Sequence, residues 1–136
     1  MAKLPYTART LPSTTTYEAA EALLGGRSRR ELCFKTCVVR TGQYAVSVYH
    51  HRTPILTIDG GQITIRDGGY RSYTTRARLN RLLYPKYRIV QRDFKWSVLS
   101  KVGLGAPWTN ETAFMDGMRI DQIGQPRPLY RYYGLV

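Results

Sequence analysis

The sequence predicts an α+β domain: a small antiparallel sheet of about five or six strands with one or two short helices against it. Three observations carry this. Apolar residues alternate with threonines in ILTID and QITIR on either side of Gly60-Gly61, a hairpin pattern with Leu56, Ile58, Ile63 and Ile65 on one face. Leucines Leu79, Leu82 and Leu83 recur at helical spacing. The 136 residues suit one domain with extended ends.

Residues 1–16 hold two prolines and no apolar period, and read as an extended arm. A helix is expected next, capped by Thr15 or Thr16, with Glu18 and Glu21 toward its N-terminal dipole and Gly25 or Gly26 ending it. Arg27, Arg29 and Arg30 fall in an expected loop. FKTCVVRT and YAVSVYHH form a hairpin around Thr41-Gly42, with Val46 and Val48 on one face. The glycine-paired hairpin follows. Residues 75–83 predict a second helix, with Thr74 and Thr75 as caps and Pro85 as its stop. RIVQRD and KWSVLS make a third hairpin around Asp93-Phe94. Residues 17–102 thus form the domain, and residues 103–136 a Pro/Gly/Tyr-rich extension with a short strand at residues 118–123. The aromatic, basic end PRPLYRYYGLV reads as a docking tail.

Charge narrows the function. Lys and Arg number 21 against 9 Asp and Glu, a net +12. Such an excess answers an anionic partner: a nucleotide, a nucleic acid or an acidic surface. No apolar run approaches the ~18 residues of a membrane span, and no secretion signal is visible, so no membrane partner is expected. Cys33 and Cys37, four apart on a strand, would stand roughly 13 Å from each other, too far to bridge. That suits a reduced, cytoplasmic compartment. Two cysteines without nearby histidines make no zinc site, and no cofactor is implied.

Catalytic patterns are missing. There is no GxxxxGK[ST], GxSxG or HExxH, and the acids form no pair. His50 and His51, if on a strand, point to opposite faces and share no site. The chain therefore reads as a binding protein rather than an enzyme. The binding constellation is the stretch after the second hairpin. Gly68 and Gly69 permit close backbone approach. Tyr70 offers a stacking face. Thr74 and Thr75 sit at a helix N-terminus, where free N–H groups favour an anion. Arg76, Arg78 and Arg81 supply guanidinium forks for phosphate, and Asn80 an amide for a base edge. The alternative for the same stretch is a strand–turn–helix junction with a solvated basic face.

GGYRSYTTRARLN, preceded by SVYHHRTPILTI and followed by RIVQRDFKWSV, resembles a pattern of small phage-encoded proteins: a strand pair, glycine-glycine-aromatic, paired threonines, a basic residue and a closing asparagine. It looks like the anti-Thoeris sponge family, whose members sequester cyclic ADP-ribose signals without cleaving them. The resemblance implies an oligomer that holds the nucleotide between Tyr70 and Asn80, ten positions apart, with Arg40, Arg76 and Arg92 on its phosphates. The arm and the tail depart from a minimal sponge. They leave two alternatives: a basic nucleic-acid-binding phage protein, and a structural protein of the phage particle.

Overall fold

A computed structural model describes residues 3–101 and 105–123. The fold is α+β, with two antiparallel sheets rather than one. The chain runs α1 (Tyr17–Leu24), β1 (Arg29–Cys33), β2 (Thr36–Gly42), β3 (Ala45–His50), β4 (Thr53–Asp59), β5 (Gln62–Ile65), α2 (Tyr73–Leu83), β6 (Tyr87–Arg92), β7 (Lys95–Ser100), β8 (Asn110–Ala113) and β9 (Met118–Arg119). Strands β1-β2-β3-β4-β5-β9 form a six-stranded sheet; β6-β7-β8 form a three-stranded one.

Local chemistry accounts for most element boundaries. Thr16 caps α1 by accepting the Ala19 N–H at 3.1 Å, and Gly25 closes it at φ 63°, where a Cβ is costly. The second hairpin pairs Leu56 with Ile65 and Ile58 with Ile63, and all four side chains are buried. The third turns on Asp93 and Phe94, both at positive φ (52° and 63°), as a two-residue turn of primed type requires. The first differs from expectation. β2 continues through Gly42 with an irregular register after Arg40, so the turn falls on Gln43 and Tyr44.

Two strands were not legible. Arg29 and Arg30, expected in a loop, lie on β1, paired with Val39 and Val38. β8 completes the small sheet, pairing Ser97 with Ala113 and Leu99 with Glu111. Both carry polar, exposed edge positions, so neither shows an apolar alternation.

The core lies between the sheets and helices. α1 packs on β2, β3 and β4; α2 packs on β6 and β4. Leu79, Leu82 and Leu83 are wholly buried, beside Ile89, Trp96 and Val98 of the small sheet. Trp96 meets Phe114 edge to face at 5.1 Å. The segment that reads as an arm enters this core: Leu11 is buried, the Tyr6 N–H donates to Leu32 O at 3.0 Å, and the Thr14 N–H donates to Leu82 O at 2.7 Å. Phe114 and Ile120, from the segment read as an extension, are buried too. The tail PRPLYRYYGLV lies outside the described residues.

Cys33 and Cys37 are free thiols on neighbouring strands, both buried, and burial pushes the Cys37 thiol above its ordinary value. Among the described residues, no helix is long and apolar enough to cross a membrane.

Candidate ligand site at the N-terminus of α2

The loop between β5 and α2 is held from below by carboxylates. Asp116 Oδ1 accepts the Asp67 N–H at 2.8 Å and the Gly68 N–H at 3.3 Å; Asp67 Oδ1 accepts the Gly69 N–H at 2.7 Å. Asp67 is buried, and its other oxygen accepts Arg71 Nε at 3.1 Å. Arg71 lies over the Phe114 ring at 5.1 Å, which ties the loop to the core. Gly68 has φ 69°, and a Cβ there would stand 2.5 Å from Thr53 Oγ1. The glycines are therefore required by the turn and by the approach to Thr53. Their N–H groups are spent on carboxylates and do not point to a phosphate.

Ser72, rather than Thr74 or Thr75, caps α2. Its Oγ accepts the Thr75 N–H at 3.1 Å, and the helix starts at Tyr73, two residues before its expected beginning. Serine wins because it is the residue with extended φ and ψ (−91°, 153°) ahead of the first turn. The N–H groups of Tyr73 and Thr74 lie in that first turn, where no intrahelical acceptor exists. Above them lies a cavity of about 600 Å³, lined by Phe34, His50, His51, Thr53, Asp67, Gly68, Tyr70, Ser72, Thr74 and Thr75. Tyr70 is 76% exposed and Phe34 70%, so two rings stand at its rim, uncommitted to the core.

A buried polar cluster adjoins the cavity through its lining residues His50 and Phe34. Arg78 is buried; its Nε donates to Thr36 Oγ1 at 2.7 Å and its Nη2 to Phe34 O at 3.1 Å. His50 Nδ1 lies 3.3 Å from the same Thr36 hydroxyl. Burial, then the Arg78 charge, then His51 push the His50 imidazole down to about 4, so it is neutral near pH 7. The histidines do meet, against the strand argument: β3 ends at His50, His51 turns back at φ 55°, and the ring centroids are 4.4 Å apart.

Gly68, Tyr70, Thr74 and Thr75 are thus gathered at one cavity, with Gly69 in the adjoining loop. Six other predicted residues are not among its lining; Arg78 is buried on Thr36 and Phe34 O and is no phosphate contact, and Arg81 is exposed elsewhere on α2. Asn80 donates from Nδ2 to Ile89 O at 2.9 Å and accepts the Ile89 N–H on Oδ1 at 2.6 Å. It satisfies the open edge of β6 as a neighbouring strand would, so its amide is committed to the fold. Arg40 pairs with Glu21 and also donates to Tyr17 Oη at 3.4 Å. Arg92 pairs with Glu111 at 2.8 Å across the small sheet. Arg76 lies with its guanidinium 5.6 Å from the Tyr73 ring centre. Phe34, His50, His51, Thr53, Asp67 and Ser72 are the lining residues that sequence reasoning missed. Only Ser72, a good cap just before the helical period, carried a signal.

A larger cavity of about 830 Å³ opens between the two sheets beside α1. Lys86 and Lys101 share its lining with Glu18 and Asp121, a mixed lining that favours no single charge on a ligand. Among the described residues, no cluster of His, Cys, Asp and Glu is placed to hold a metal ion.

The fold and the site define a small α+β protein with an aromatic-rimmed polar cavity at a loop–helix junction. Residues 13–121 match the model of the Kyanoviridae Gp96 protein family, and the chain belongs to this phage protein family. Neither the curated proteins nor the solved structures contain a match.

Proposed function

We propose that this phage protein is a non-catalytic binder of a phosphorylated nucleotide, held at the cavity before α2. The single observation that carries the reading is Tyr70: a ring 76% exposed on a braced loop, beside Phe34 and above an open helix N-terminus. A base stacks on Tyr70 or Phe34, worth ~1–3 kcal/mol. Phosphate meets the N–H groups of Tyr73 and Thr74 and the Thr74 hydroxyl, where the helix dipole favours negative charge. The net charge of +12 draws such a ligand in. The reading excludes Asn80 from base contact, because its amide is occupied.

The biological form of this proposal is sequestration of a cyclic ADP-ribose type signal in the host cytoplasm by an oligomer, which blunts a host defence. Calorimetry with cyclic and linear ADP-ribose nucleotides tests it. The expected outcome is tight binding, intact ligand recovered on denaturation, and loss of binding in Tyr70→Ala. The absence of heat with every member of the panel refutes it.

A further inference from the structure

Residues 68–92 contain seven cations, Arg71, Arg76, Arg78, Arg81, Lys86, Arg88 and Arg92, and not one of the nine acids of the chain. The fold sorts these seven. Arg78 is buried, Arg71 is paired with Asp67, and Arg92 with Glu111. Arg76, Arg81, Lys86 and Arg88 make no ion pair among the described residues. Arg81, Lys86 and Arg88 are exposed.

The outer face of α2 interleaves these cations with aromatics. With Leu79, Leu82 and Leu83 turned to the core, the helical period places Tyr73 and Ala77 outward in line with Tyr84, just past the helix end. Tyr73 is 76% exposed and Tyr84 58%. Eleven residues at 1.5 Å each set the two rings roughly 16 Å apart along the axis. Arg76 and Arg81 flank that line on its two sides. The surface therefore has cations along its edges, rings at its ends and no carboxylate on the helix.

We infer that this face of α2 binds single-stranded nucleic acid, with bases stacked on Tyr73 and Tyr84 and phosphates on Arg76, Arg81 and Arg88. Aromatic rings interleaved with cations are the means by which proteins hold single strands without reading sequence. A duplex keeps its bases stacked inside and would leave both tyrosines idle. This surface goes beyond the nucleotide cavity and does not depend on Tyr70.

Fluorescence anisotropy of the full chain with labelled oligothymidylate and oligouridylate, at roughly 50 and 200 mM salt, tests the inference. Affinity should fall steeply with salt for at least one of the two polymers. Which polymer is bound more tightly separates DNA from RNA. Tyr73→Ala and Tyr84→Ala should each weaken binding about fivefold or more. Arg81→Ala should lower the salt slope by about one. Tyr70→Ala should leave this binding intact while abolishing any mononucleotide binding, so the two proposals fail separately. Two results would overturn the inference: single-strand affinity unchanged in the Tyr73→Ala, Tyr84→Ala double variant, or duplex DNA bound equally well and equally indifferent to those tyrosines.

Discussion

The two ends of α2 treat their polar side chains in opposite ways. At the C-terminal end Asn80 spends both halves of its amide on Ile89, while Leu82 and Leu83 close the core beneath. At the N-terminal end Ser72 caps one N–H, and Tyr70 and Thr74 are left at a cavity with no comparable commitment. One end is closed by the fold and the other borders a cavity. A polar residue near a glycine loop therefore says nothing about binding until its partners are known. The Gly68 and Gly69 N–H groups make the same point, since they face carboxylates.

The largest expected effect breaks the closed end. Asn80→Ala leaves the buried Ile89 N–H and C=O unmet, at a cost of about 2–4 kcal/mol. Urea denaturation reads this as a lower midpoint with an unchanged slope. An unchanged midpoint would return the Asn80 amide to the list of ligand contacts.

Acid should loosen the buried polar cluster that adjoins the cavity. The folded state holds the His50 imidazole at about 4 against an ordinary 6.5. The unfolded chain therefore binds the extra proton across that window. Stability is complete above about pH 6.5, and up to about 3 kcal/mol is lost as pH falls toward 4. Melting temperatures recorded across this range should drop, and His50→Asn should flatten the His50 share of the drop. An equal drop in the variant would assign it to the carboxylates.

Gly68→Ala sharpens the comparison from the cavity side. The new Cβ meets Thr53 at a φ that side chains resist, for about 1–3 kcal/mol. Adding Thr53→Ala should recover part of the loss, because it removes the hydroxyl nearest that Cβ. Failure of this rescue would place the cost in φ alone. The smallest effect is Tyr70→Ala, under about 0.5 kcal/mol in stability for a ring this exposed. A larger loss would mean that Tyr70 belongs to the fold.

Much of the architecture was legible because it rests on local rules. The hairpin turns at Gly60-Gly61 and Asp93-Phe94 and the leucine face of α2 follow from period and backbone preference alone; the same preferences narrowed the α1 caps to Thr15 or Thr16 and Gly25 or Gly26, of which the structure uses Thr16 and Gly25. Membership of a phage protein family agrees with the phage-type pattern read at GGYRSYTTRARLN. The Tyr70, Thr74 and Thr75 neighbourhood was legible for the same local reason: they follow one another at a single junction.

Other features depended on residues far apart in the chain. Asp116 reaches Gly68 across 48 positions, Arg78 reaches Thr36 across 42, and β8 and β9 complete sheets begun far upstream. The His50 and His51 rings meet because the strand stops at His50 and His51 itself turns back at positive φ, which the strand alternation could not show. By itself the sequence determined both helices, the strands of the three hairpins, and where charge and aromatic rings concentrate. The tertiary structure alone decided which polar groups are already satisfied. A hydrogen bond depends on where its partner sits in space, and chain-local pattern carries no information about that.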